Sequence, residues 1–193
     1  MLDEEKYAYL LGSYLGDGHI TMGPRGVAAL SIICADAWPG VAEEVHDALH
    51  AVIPVSSVCA VQKIGCSAVK SYSTHWPCLF PQHGPGRKHD RPIVLEPWQQ
   101  AIVDEHPGLL LRGLIHSDGC RITNWATKRT PAGPKRYEYP RYFFSNKSLD
   151  ILDVCAAALD RLAIAHRRPR WDMISVAKRD AVARLDDFVG PKY

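Results

Sequence analysis

One nine-residue stretch occurs twice, and it constrains the rest of the chain. Residues 10–18 read LLGSYLGDG and residues 111–119 read LRGLIHSDG. Both begin with Leu, carry Gly at the third place and close on Asp-Gly. The offset is constant at 101 positions for Gly12 and Gly113, for Gly16 and Ser117, and for Asp17 and Asp118. A repeat of this kind sets the architecture ahead of any local preference, because each unit needs its neighbour to cover a shared face.

Each copy is predicted to close a helix. Tyr7, Leu10, Leu11, Tyr14 and Leu15 fall at helical spacing behind an acidic start at Asp3, Glu4 and Glu5. Pro107 suits the first turn of the second helix, and Leu110, Leu111, Leu114 and Ile115 follow. Gly18 and Gly119 are expected as left-handed stops. Gly12 with Gly16, and Gly113 with Ser117, are four residues apart and so share a face. Two faces without side-chain bulk let helix backbones approach closely. Packed that way, the helices bring Asp17 and Asp118 side by side at their C-terminal ends. Those ends carry partial negative charge, and the two carboxylates repel. A divalent cation would neutralise the pair, with the carbonyls of Gly16 and Ser117 as further oxygen ligands. Oxygen-only ligation by few carboxylates suits Mg²⁺ or another divalent cation.

The paired motifs resemble those of the LAGLIDADG homing endonucleases, in the single-chain form with two repeats. The sequence around them follows the same plan. In the first half, His19–Met22 and Val27–Cys34 read as strands around a Gly-Pro-Arg-Gly turn. A helix from Asp36 or Pro39 runs to about Ile53. A hairpin of Val55–Lys63 and Ser67–Thr74 comes next, then a short helical piece at Trp76–Phe80. Residues 82–91 form a loop, and Trp98–Glu105 leads into the second motif. In the second half, Cys120–Trp125 and Glu138–Ser145 read as strands joined by a long turn at 126–137. A helix from Asn146 or Ser148 to Leu162, a hairpin of 166–170 and 171–177, and a last helix over 180–189 complete it. Each half therefore reads αββαββα, over residues 1–101 and 102–193, without a linker. The resemblance implies an α+β fold with pseudo-two-fold symmetry. Two antiparallel sheets would form a DNA-binding saddle around a central helix pair, in a monomer acting as a pseudo-dimer.

It also implies a function: hydrolysis of one phosphodiester on each strand of double-stranded DNA, with metal held by Asp17 and Asp118. A lysine late in each half commonly assists in this family. Lys88 and Lys178 are nominated, because Lys88-His89-Asp90 and Lys178-Arg179-Asp180 share K-x-D ahead of each half's final helix. Alternate residues of a strand share one face, so a sheet can present a polar row to the major groove. The candidate DNA contacts are Arg25, Lys63 and Lys70 in the first half. In the second they are Arg121, Lys128, Arg129, Arg141, Arg168 and Arg170.

Charge distribution bears on the same point. The chain carries a formal net charge of +2, split as −5 through Asp118 and +7 from Gly119 onward. A basic second half suits phosphate tracking, as it also suits an unevenly charged solvated surface. No apolar run is long enough to span a membrane. Six scattered cysteines without a C-x-x-C or a signal-peptide pattern read as reduced thiols in the cytoplasm, near the nucleoid when DNA is bound. A start directly in the motif helix, with no His-Asn junction at the end, leads us to expect a free-standing protein. Cys78, His83 and His89 lie close in sequence, but their spacing matches no standard zinc knuckle. Two other readings remain open: a DNA-binding protein or regulator on the same fold that does not cut, and an unrelated α+β protein with an incidental repeat.

Overall fold

The computed structural model describes residues 2–131, 133–190 and 192–193. Its organising unit is a pair of helices, α1 (Glu4–Asp17) and α5 (Pro107–Asp118), packed along the glycine face. Asp3 caps α1 by accepting from the Lys6 amide at 3.0 Å, and Pro107 opens α5 as expected. The contact is backbone to backbone. A methyl added at Gly12 would sit 2.8 Å from Leu114 N and closer still to Leu110 O. One at Gly113 would sit 2.8 Å from Ser13 N and closer still to Tyr9 O. Tyr7, Tyr9, Leu10, Leu11, Tyr14 and Leu15 of α1, and Leu110, Leu111 and Leu114 of α5, are buried around this seam.

Each helix runs straight into a sheet. The first half adds β1 (Gly18–Met22), β2 (Ala28–Ala35), α2 (Pro39–Val52), β3 (Val58–Lys63), β4 (Cys66–Ser73) and the short α3 (Trp76–Leu79). Then α4 (Pro97–Glu105) leads to α5. The second half adds β5 (Gly119–Thr130), β6 (Gly133–Ser145), α6 (Leu149–Arg161), β7 (Arg167–Arg170), β8 (Met173–Val176) and α7 (Arg179–Asp186). The sheets are antiparallel, with strand orders β1-β2-β4-β3 and β5-β6-β8-β7. The same α-ββ-α-ββ plan thus appears twice. The join predicted at 101/102 falls inside α4.

Strand parity separates two faces. Ala28, Leu30 and Ile32 of β2, and Tyr142 and Phe144 of β6, point toward the helices and are buried. The intervening residues form an open face on each sheet. No helix among the described residues is long and apolar enough to cross a membrane.

Two local expectations are corrected. Gly18 and Gly119 are not left-handed stops: their φ values are −91° and −104°, and each passes directly into an extended strand. Glycine is needed there for space, since a Cβ would come 2.5 Å from Tyr14 Cα at the first and 2.7 Å from Ile115 Cα at the second. Residues 126–130 and 133–137 do not belong to a long turn either; Ala132 lies outside the described residues. β5 and β6 stay paired out to Thr130 and Gly133. The extension is held by cross-strand pairs: the Arg136 guanidinium lies 4.9 Å from the Trp125 ring and the Lys128 ammonium 5.8 Å from Tyr137, with Lys135 of the same strand 5.4 Å from that ring. Such pairs stabilise a two-stranded ribbon that has no sheet beneath it.

Candidate functional site

The seam delivers the two carboxyl groups to one place. A methyl at Gly16 would lie 2.5 Å from Ser117 Cβ and 3.2 Å from Asp118 Oδ2, so the two helix ends are in contact where Asp17 and Asp118 project. Burial, with the neighbouring Asp118 carboxylate second, pushes Asp17 up to about 6. Burial also raises Asp118, although Asn146 Nδ2 donates to its Oδ2 at 2.8 Å and favours the ionised form. The pair is thus a concentration of negative charge that the fold compensates only in part.

The compensating charges are two lysines. Lys88 Nζ donates to Leu15 O at 2.9 Å, to Gly16 O at 2.7 Å and to Tyr14 O. An ammonium there satisfies the orphan carbonyls of the α1 C-terminus and meets its partial negative charge. Burial lowers Lys88 to about 8, against the opposing pull of Asp118 and Asp17. The loop is braced from beneath. Arg91 donates to Gln82 O at 3.3 and 3.1 Å, to Pro85 O at 3.1 Å and to Gly86 O at 3.0 Å. Gln82 in turn joins a buried chain with Gln99 and Tyr7.

Lys192 holds the corresponding place in the second half. Its Nζ donates to Ser117 O at 3.2 Å, and burial lowers its pKa while Asp17 and Asp118 oppose the shift. The sequence reading nominated Lys178 instead. Lys178 lies exposed before α7, in a surface hollow of about 350 Å³ with His166, Arg167 and Ser175, away from the carboxyl pair. A signal for Lys192 was available: Lys88 follows Asp17 by 71 positions and Lys192 follows Asp118 by 74, whereas Lys178 follows by 60. Lys192 is presented by the chain's last residues, which are tied across the molecule. Arg112 Nη1 donates to Phe188 O at 3.0 Å and Val189 O at 2.5 Å, while its Nε and Nη2 hold Glu44 of α2 at 2.6 and 2.9 Å. Gly40 N donates to Tyr193 O at 2.7 Å. His116 Nε2 meets Val189 O at 3.0 Å, and burial lowers the imidazole to about 4, so it is neutral at ordinary pH.

The basic residues divide between the two faces. Lys63 and Lys70 share the parity of His19 and Ser31 on the open face of the first sheet. Burial, then Lys63, Lys70 and Lys88, depress the His19 pKa, which marks how concentrated the positive charge is there. On the second sheet Lys128, Arg141 and Arg170 share the open-face parity, joined by Lys135 and Arg167, which the sequence reading omitted. Arg121 and Arg168 are on the helix side. Arg121 binds Asp186 at 2.7 and 2.8 Å, and Arg168 pairs with Asp153 of α6. Arg129 has the parity opposite to Lys128, beyond the sheet's core, and Arg25 sits exposed in the 24–26 turn with φ 60°. Cys78, His83 and His89 do not gather their ligand atoms. Among the described residues only Glu4, Glu105 and His106 do so, exposed or partly exposed at the opposite end of the helix pair.

No protein-family model matches the chain, and no curated protein matches it in sequence. Solved structures do match its fold. I-DmoI in complex with DNA and Ca aligns over 96% of this chain and 89% of its own, with a TM-score of 0.57 and 12% identity. The I-SmaMI LAGLIDADG homing endonuclease bound to cleaved DNA aligns over 96% and 83%, with a TM-score of 0.55 and 8% identity. The N-terminal LAGLIDADG domain of DUF199/WhiA aligns over 97% and 83%, with a TM-score of 0.57 and 13% identity. The chain has the LAGLIDADG fold, which homing endonucleases share with WhiA.

Proposed function

We propose that the protein is a divalent-metal-dependent endonuclease that hydrolyses one phosphodiester on each strand of a specific DNA duplex. The observation that carries this reading is the pairing of Asp17 with Asp118 at two abutting helix ends, each end capped by a lysine, between two sheets with basic open faces. A protein that only grips DNA gains nothing from two buried carboxyl groups held together, since like charges in a dry site cost free energy. The donor set fits a hard dication such as Mg²⁺. It offers two carboxylates withdrawn from water, whose burial raises both pKa values. Asp17 and Asp118 would hold it. The carbonyls of Gly16 and Ser117, first considered as additional ligands, already accept from Lys88 and Lys192, so we assign them to lysine positioning.

When bound, the metal lowers the pKa of an attacking water and offsets charge on the leaving oxygen. The chain's own part is to pre-align charge. Lys88 Nζ and Lys192 Nζ stand beside the carboxyl pair, one per half, where added charge on a phosphate in the transition state meets fixed positive groups. Lys88, lowered to about 8, keeps its proton on Nζ at neutral pH. The open faces, with Lys63 and Lys70 on one sheet and Lys128, Lys135, Arg141, Arg167 and Arg170 on the other, would lie over the duplex. I-DmoI, which shares the fold, is known in complex with DNA and Ca.

A second reading is a sequence-specific DNA-binding protein on the same fold that does not cut. The observation favouring it is that the lysines already neutralise much of the helix-end charge. One experiment separates the two. A target is recovered from a randomised duplex pool and incubated with Mg²⁺ and the protein. Endonuclease action requires cleavage of both strands, lost in Asp17→Asn and in Asp118→Asn with binding largely kept. Binding without cleavage by the unaltered chain supports the second reading. Loss of binding with unchanged cleavage would overturn the assigned roles.

A further inference from the structure

The buried cation on the open face of the second sheet has no acidic partner among the described residues. Arg141 is only 7% exposed, yet no carboxylate lies within 4 Å of it among the described residues. A charge removed from water is costly unless it is paired. Among the described residues one acceptor is supplied. Arg141 Nε donates to Ser175 Oγ at 2.8 Å across the β6–β8 pair, and the guanidinium carbon stands 4.6 Å from the Phe143 ring. The ring and the hydroxyl hold the planar group in place. Its Nη1 and Nη2 have no hydrogen-bond partner among the described residues and are not among the buried unpartnered atoms, so this end of the guanidinium reaches solvent on the open face.

Resting on the endonuclease reading above, we infer that Arg141 reads a guanine in the major groove of the second half-site, donating from Nη1 and Nη2 to O6 and N7. A planar pair of donors with the third nitrogen engaged elsewhere matches those two acceptors, and arginine on guanine is the commonest specific contact. Position argues for a base over a phosphate. Arg141 lies on β6, an inner strand with β5 on one side and β8 on the other, where the middle of a groove is met; backbone phosphates are met at the rims. It is three residues along β6 from Phe144, the partner of Gly119. That is about 10 Å, or about three base-pair steps outward from the carboxyl pair.

The first half does not repeat the device. By register, Ala29 occupies the place of Arg141, and Lys70 occupies that of Ser175. The two half-sites are therefore read differently at this position, and the target is not a palindrome there.

The test is selection of bound duplexes from a randomised pool in Ca²⁺ by the full chain, by Arg141→Gln, by Arg141→Lys and by Ser175→Ala, with thermal melting of each as a check on folding. The unaltered chain should enrich guanine strongly at one position in one half-site. Arg141→Gln and Arg141→Lys should lower that preference about tenfold or more while leaving the other positions unchanged, and Ser175→Ala should weaken it part-way. A uniform fall in affinity over all sequences, with a shallower salt dependence, would identify a phosphate contact and overturn the inference. So would an unchanged guanine preference in Arg141→Gln. A full chain that enriches no sequence at all would remove the endonuclease reading, and this inference with it.

Discussion

Gly12→Ala sets two physical effects against each other in the middle of α1. Helix propensity alone favours the change by about 1 kcal/mol. Packing opposes it. The new methyl would lie 2.8 Å from Leu114 N and nearer still to Leu110 O, both backbone atoms of α5 that no rotamer change can move. Relief requires the helices to separate by about 1 Å. A radial gap of that size forfeits a quarter to a half of the dispersion energy of each facing contact, and overpacking in cores costs about 1–3 kcal/mol before that loss is counted. With the propensity gain subtracted and about 1 kcal/mol of lost dispersion added, the net expectation is destabilisation of about 1–3 kcal/mol, read by urea denaturation. Gly108→Ala, at the start of α5, is the control. Its methyl would meet the Phe188 ring at 3.3–3.4 Å, a side chain able to shift. It should change stability by under about 1 kcal/mol. The same separation spreads Asp17 from Asp118, so metal-dependent cleavage should fall along with stability. A Gly12→Ala chain that is more stable, by the amount propensity predicts, would refute the backbone-contact seam.

Two further outcomes follow from the charges at that seam. Asp17 is raised to about 6, so its ionisation in the folded, metal-free chain is unfavourable. Stability should therefore be highest below pH 4 as far as this group is concerned and should decline as pH rises through about 6. Asp17→Asn should remove that decline and gain up to about 3 kcal/mol at pH 7, while Mg²⁺ should stabilise the unaltered chain and not the variant. A variant less stable than the parent in metal-free solution at pH 7 would count against the uncompensated pair. Lys192→Met should slow scission of one strand about tenfold or more, so that nicked plasmid accumulates. Equal slowing of both strands, or none, would show that Lys192 does not serve one half of the site.

Much of this was legible along the chain. Gly12, Gly16 and Asp17 and their counterparts 101 positions on carry the information locally, because a helix converts a spacing of four into a face and an Asp-Gly ending into a helix terminus. The repeat then required a partner for each face, and the partner was the other copy. The β5–β6 ribbon was misread because Pro131, Gly133 and Pro134 look like a broad loop, whereas strand pairing beyond the sheet depends on cross-strand contacts such as Arg136 on Trp125. What remained hidden depended on distant segments meeting. Lys178 has the local pattern of Lys88, but Lys192 has its place, because Arg112, Glu44 and Gly40 tie the chain's last residues across both halves. Arg121 and Arg141 look alike in sequence, yet one binds Asp186 on the helix side and the other lies on the open face, donating to Ser175 and stacked near Phe143. Strand parity changes with every residue, and only pairing with a neighbouring strand decides which side chains meet water, core or DNA.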